Sequence, residues 1–337
     1  KAGILFSYSW NKMISDLNLD PELVLILNGT LSSEAFVVDY CAKERIKYVT
    51  HECFYGADSW IYKLNGDVMS LTWDKKWKEF SKNELTIEQK VKATEFMNGF
   101  RRGEKHYVRF NYDVPLNEKF EENNFVVLFT NLNFDTAVLG RNPVFKSMYE
   151  WIEKVIEYWN NNKIQTQLVI RVHPAEAKSI SVTKDLVKSR IDPLIKDNNR
   201  IFLYDALDEV DSYNLIENMK FALVYASTIG LETAIMNKVC LVAGNAHYRH
   251  QSFALFHEKQ EDYFKEIENL LKIKSPTNQY SSEALKYAYF LFFICIKKFK
   301  GLKTDHMYKV NDFDFENLDD LIHKNNDLLI EFENEVL

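Results

Sequence analysis

Cysteine is rare in this chain and unorganised where it occurs. Cys41, Cys53, Cys240 and Cys295 form no CxxC pair and keep no regular spacing, which excludes a zinc or disulfide framework and fits a reducing compartment. No charged n-region and apolar h-region open the sequence, and the longest wholly apolar run, Tyr287 to Ile296, falls well short of the roughly 20 residues that span a bilayer. An excess of basic charge is missing too: 42 Lys and Arg stand against 49 Asp and Glu, for a net charge of -7. That balance excludes a chain whose business is neutralising nucleic-acid phosphates. GxGxxG, the P-loop, HExxH and GxSxG are absent, which removes the commonest dinucleotide, nucleoside-triphosphatase, metalloprotease and hydrolase readings.

What is present suffices for two packed cores, with 46% of 337 residues hydrophobic. Between Phe125 and Lys272 short apolar runs alternate with helix-period segments: FVVLF from Phe125, QLVIRV from Gln167, IFLY from Ile201, FALVYA from Phe221 and VCLVA from Val239. Each is too continuously apolar for a half-exposed strand, so a buried parallel sheet is expected. Asn142 and Pro143 mark the start of a helix carrying Phe145, Met148, Trp151, Ile152, Val155 and Trp159 at helical spacing. A second helix is expected near Asp211 or Ser212, and a third after Ser227 and Thr228.

Upstream, LVLIL from Leu23, a turn at Asn28 and Gly29, a helix from Ser33 to Lys43 and IKYVT from Ile46 make one βαβ unit. Thr86 with Gln89 is a capping-box pair opening a helix that should stop near Gly103. A Rossmann half has about five or six strands; the two or three that fit here imply an incomplete first half, with the chain beginning part-way through it. The expected division is therefore 1-103 as a partial first domain, 104-124 as linker, 125-272 as a Rossmann-like domain, and 273-337 as C-terminal helices closing the fold. The run Tyr287 to Ile296, bounded by Lys286, Lys297 and Lys298, suits either a buried helix or a segment resting on a membrane surface, and short apolar runs are more often core.

Four segments could carry chemistry. Arg171, Val172, His173 and Pro174 lie at the carboxyl end of an expected buried strand, where open α/β sheets place ligands. Pro174 restricts His173 and stops the strand, so the imidazole can donate to a phosphate oxygen, unless it is only a strand-ending histidine satisfied by local backbone. Ser227 and Thr228 end another strand and open a helix, giving a cradle for an anion, with Glu232 one turn on as an acceptor for ribose hydroxyls. The plain alternative is an N-cap and a first-turn acid. His247 and Arg249 follow the last strand as further donors, or belong to a solvated loop. Asp135, after the first strand of this half, is the leading candidate for a catalytic carboxylate; Glu34 and Glu52 are its upstream rivals. Asp312 and Asp314 superficially look like a metal-binding pair but lie in the acidic tail and read as solvated charge, so no metal site is expected.

FTN, FD and VLGR between Phe129 and Arg141, RVHPAE from Arg171, YASTIGLETA from Tyr225, AGNAHYR from Ala243 and KYAYFLFF from Lys286 together resemble the capsule polysaccharide biosynthesis family. Its best-understood relatives are bacterial Kdo transferases of the GT-B type, and the resemblance covers about residues 125 to 300. It implies an α/β, GT-B-like fold of two Rossmann-like domains facing a cleft, the first on the acceptor side and the second binding a nucleotide sugar. It further implies a metal-independent glycosyltransferase in which His173, Ser227 and Thr228 hold the donor phosphate, Glu232 helps hold the nucleotide, and Asp135 marks the catalytic position. The implied donor is CMP-linked Kdo or a related acid sugar, used as substrate with no further cofactor. The implied acceptor is a glycan or glycolipid at the inner membrane face, reached by a cytoplasmic enzyme in peripheral contact. A nucleotide-sugar epimerase or polyol-phosphate transferase, and a non-catalytic nucleotide-sugar or glycan-binding scaffold, are the competing readings.

Overall fold

A computed structural model describes residues 2–54, 58–102, 120–133, 135–136, 138, 140, 142–177, 185–306 and 309–336. They fall into two units, Lys1–Phe80 with Phe290–Leu337, and Ser81–Tyr289. The first unit opens with α1 (Ala2–Asp16), β1 (Leu23–Leu27), α2 (Ser32–Glu44), β2 (Lys47–Glu52), β3 (Ser59–Leu64) and α3 (Asp74–Phe80). The expected βαβ unit is there, β1 and β2 pairing in parallel from Leu23 opposite Lys47 to Leu27 opposite His51. Glycine is required at its turn: Gly29 has φ +82, and a Cβ there would lie 2.6 Å from Thr50 Cγ2.

Alternation then sorts the side chains of β2. Tyr48 packs with Ile26, Val37 and Cys41 beneath Phe6 and Trp10, whereas Val49 meets Tyr62, Val336 and Phe332. The sheet is completed by β3, antiparallel to β2, and by a late strand, Lys297–Lys298, antiparallel to β3. The acidic tail is not wholly helical as its composition suggests. A hairpin, Leu302–His306 with Lys309–Phe313, precedes the two closing helices Leu318–Lys324 and Asn326–Val336.

The second unit contains α4 (Ile87–Arg101), β4 (Phe125–Phe129), α5 (Met148–Asn162), β5 (Gln167–Arg171), α6 (Val187–Ile195), β6 (Ile201–Tyr204), α7 (Ser212–Asn218), β7 (Ala222–Val224), α8 (Ile229–Ile235), β8 (Cys240–Val242), β9 (Leu255–Phe256), α9 (Gln260–Lys272) and α10 (Ser281–Tyr289). The capping box forms as read, Thr86 Oγ1 accepting from Gln89 N and Gln89 Oε1 from Thr86 N. The helix it opens belongs to this second unit, and most of the expected linker, 103–119, lies outside the described residues. All five apolar runs become parallel strands, joined by β9 as a sixth, in the order β6-β5-β4-β7-β8-β9. Every residue of β4 is buried, which is what its uninterrupted apolar sequence demands.

One helix starts later than its sequence suggests. Ser147, not Asn142, caps α5, its Oγ accepting from Glu150 N at 3.1 Å; Asn142 instead accepts from the Tyr225 hydroxyl at 2.6 Å. Trp151 and Trp159 of α5 are fully buried, and Trp151 donates to the Tyr263 hydroxyl of α9 at 2.8 Å. Downstream, α10 runs into a π-helical turn, Phe290–Cys295. Tyr287, Ala288, Phe290, Leu291, Phe292, Cys295 and Ile296 are buried, so this run serves as core rather than as a membrane-facing surface. Among the described residues no helix is long and apolar enough to cross a membrane.

Candidate functional site

The order of the parallel strands marks where a ligand site is expected. From β4 the chain builds outward through β5 and β6, then returns to the other side of β4 to add β7, β8 and β9. The order therefore reverses between β4 and β7, and open α/β sheets bind ligands outside the carboxyl ends of strands at such a reversal. The two residues after β4 divide between its neighbours. Thr130 Oγ1 accepts from His173 N, after β5, at 3.0 Å, and Asn131 Oδ1 accepts from Ala226 N, after β7, at 3.1 Å.

His173 caps the 3-10 turn Pro174–Glu176, its Nδ1 accepting from Ala175 N at 3.2 Å. An accepting Nδ1 places the ring proton on Nε2, the tautomer that can donate to an anion. Across the reversal, Thr228 stands at the start of α8 with φ -59 and ψ -22 and no side-chain capping bond, while Ser227 Oγ accepts from Ile229 N at 3.4 Å. The Ser227 carbonyl is held by the Tyr248 hydroxyl at 2.5 Å. Asp135 lies half-buried in the turn after β4, where its N–H donates to Leu132 O and its carbonyl accepts from Val138 N.

Several residues chosen from the sequence as donor ligands have internal partners. Arg171 is 2% exposed and donates from Nη1 to Asp205 O at 2.7 Å, tying β5 to the loop after β6. Glu232 is also buried and accepts from the Tyr213 hydroxyl. Its burial raises the carboxyl to about 7, against the lowering effect of the Tyr213 bond. His247 stacks on Tyr287 with Nδ1 3.0 Å from its hydroxyl, and burial lowers the imidazole to about 3. Arg249 bonds to Ala246 O and lies over the Phe256 ring. Glu34 belongs to the first unit, in the first turn of α2, accepting from Ser33 Oγ at 2.6 Å. Glu52 is held in that unit by Asn28 Nδ2 at 3.0 Å.

Sequence reasoning passed over Glu176, three residues beyond His173. It is 2% exposed, accepts from Val187 N at 3.2 Å, and is raised to about 7 by burial, against the Val187 bond and with help from Asp205 and Asp185. Tyr149 and Asn133 were missed as well. Tyr149 donates to Asp185 O, and Asn133 Nδ2 donates to the Tyr149 hydroxyl at 2.9 Å, fastening the loop after β4 to the start of α6. Among the described residues no group of three or more His, Cys, Asp or Glu is placed to hold a metal ion.

The sequence profile described as "Capsule polysaccharide biosynthesis protein" matches residues 70–263, more than half of the chain, including Asp135, His173, Ser227 and Thr228. The chain belongs to the capsule polysaccharide biosynthesis family. No curated protein matches this family member. Among solved structures, this capsule-family chain is similar to the Thermosulfurimonas dismutans KpsC β-Kdo 2,7 transferase, at 13% identity over 86% of this chain and 81% of that one, with a TM-score of 0.48. It is similar to the KpsC β-Kdo 2,4 transferase of the same organism at 10% identity, 82% and 81% coverage and a TM-score of 0.49. The UDP-GlcNAc 2-epimerase from Neisseria meningitidis bound to UDP-GlcNAc matches at 12% identity, 86% and 77% coverage and a TM-score of 0.34.

Proposed function

We propose that this capsule-family chain is a glycosyltransferase that moves a sugar from a nucleotide donor onto a bacterial surface polysaccharide or its lipid-linked precursor, at the cytoplasmic face of the membrane. The observation that carries the reading is the strand-order reversal at β4 and β7, flanked by His173 on one side and Ser227 with Thr228 on the other. The sequence words shared with Kdo transferases favour a CMP-linked Kdo or related acid sugar and a GT-B arrangement.

In this account His173 donates from Nε2 to the leaving phosphate, and the hydroxyls and first N–H groups at Ser227 and Thr228 receive its other oxygens. These donors are fixed before the donor arrives: Ala175 N sets the tautomer of His173, and Tyr248 holds the Ser227 carbonyl. They supply the charge stabilisation that a divalent cation would otherwise give. Arg171 and Glu232 act beneath the site, Arg171 by holding the loop after β6 and Glu232 through its bond to Tyr213. His247 and Arg249 support the loop after β8. Asp135, with Glu34 as the second candidate, acts on the acceptor hydroxyl or attacks the anomeric carbon.

Product analysis tests the reaction class. With a glycan acceptor present, nucleotide should be released only alongside glycan extension. Conversion of free donor to an isomeric sugar without acceptor would replace the transferase by an epimerase, and binding without turnover would leave a scaffold. Asp135→Ala should abolish transfer while preserving nucleotide binding; full transfer by that variant would remove Asp135 from the chemistry.

A further inference from the structure

Glu176 has no part in the donor site as proposed, yet it shares a turn with His173. Its backbone N–H donates to His173 O at 2.9 Å. Its carboxyl is enclosed and unevenly satisfied: Oε1 accepts from Val187 N at 3.2 Å, while Oε2 is buried with no hydrogen-bond partner among the described residues. The charged groups of the surrounding elements are largely committed elsewhere. At the start of α6, Arg190 pairs with Asp185, and Lys188 with Asp192. On β5, Arg171 donates to the carbonyl of Asp205, and the Asp208 carboxylate accepts from the Asp205 N–H. Asp185 and Asp205 both oppose ionisation of Glu176, which burial already disfavours.

We infer that Glu176 couples anion binding at the His173 turn to the uptake of one proton from solvent, being a neutral acid when the anion is bound. The inference rests on the reading of that turn as the donor-phosphate site. A phosphate brought to His173 adds a third negative group around a buried carboxyl, so the ionised form of Glu176 becomes costlier still. By linkage, whatever raises the proton affinity of Glu176 on binding must make binding weaken as pH rises through neutrality. His173 can take up a proton on Nδ1 only by giving up the bond it accepts from Ala175 N, and Glu176→Gln leaves that ring unchanged, so the variant separates the two groups.

The test uses the full chain with CMP-N-acetylneuraminic acid and UDP-N-acetylglucosamine, nucleotide sugars whose phosphates keep their charge near neutral pH. Wild type should bind about tenfold more tightly at about pH 6 than at about pH 8. Glu176→Gln keeps a carbonyl for Val187 N and the same volume, and its affinity should change less than about twofold over that range. Calorimetry of the wild type in two buffers of different ionisation enthalpy should register proton uptake on binding at about pH 7.5, a readout independent of whether the variant folds. Binding with no proton uptake, or an equal pH dependence in Glu176→Gln, overturns the inference and leaves the donor site standing. No binding of either probe at any pH overturns the donor-site reading and this inference with it.

Discussion

A carboxyl taken out of water without a cation must be protonated or held by strong donors. Glu232 illustrates the cost: its carboxyl accepts from the Tyr213 hydroxyl, and burial carries it from 4.5 to about 7. The sign of the pH effect follows. Protons bind the folded chain more tightly than the unfolded one, so the stability linked to Glu232 is fully present below about pH 4.5 and is lost as pH rises through about 7. Glu232→Gln should remove a loss on the order of 3 kcal/mol between those limits, seen as a flatter dependence of urea midpoint on pH. An unchanged slope would mean that Glu232 ionises freely. At this scale the sequence was informative about His173, whose strand-end position and following proline are local facts. It was silent about Glu176, because the group that encloses its carboxyl, Val187 N, comes from α6, eleven positions on.

Between elements, the approach of α8 to the loop after β8 depends on one missing side chain. A Cβ on Gly230 would stand 2.1 Å from Tyr248 Oη and 2.8 Å from Cys240 Sγ, and Tyr248 is the residue that holds the Ser227 carbonyl. Gly230→Ala should therefore cost about 1–3 kcal/mol in denaturant unfolding, and should weaken nucleotide binding through the displaced Ser227 turn. A variant of wild-type stability and affinity would show that this packing does not set the turn. Elements buried on both faces were legible because their whole sequence is apolar, as in FVVLF and VCLVA. The two-residue β9 and the late strand Lys297–Lys298 carry too few residues to make a pattern, and the hairpin strand Lys309–Phe313 is too polar to announce itself. Asn142 misled as a helix start because its side chain serves Tyr225 instead.

For the whole molecule, the second unit was the more readable half, since five of its six parallel strands, β4 to β8, are joined in succession by the helices α5 to α8. The first unit shows one parallel pair and an antiparallel remainder, with Lys297–Lys298 and Val336 returning from the end of the chain to complete it. Long-range returns of this kind leave no local signature. Arg171, Glu232 and His247 were chosen for their chemistry at a strand edge, and their internal partners only become visible once β6, α7 and α10 are in place. His173 follows β5, and Ser227 with Thr228 follow β7, the strands on either side of β4.

The most direct measurement of the central claim is a thermal-shift screen of the full chain against CMP, CDP, UDP, GDP and their sugar conjugates, because a ligand that binds only the folded state must raise its unfolding temperature. A selective rise with a cytidine nucleotide, lost in His173→Ala, is the predicted result. No rise with any nucleotide, or a rise that His173→Ala leaves intact, would contradict the assignment of the His173 crevice as the donor site.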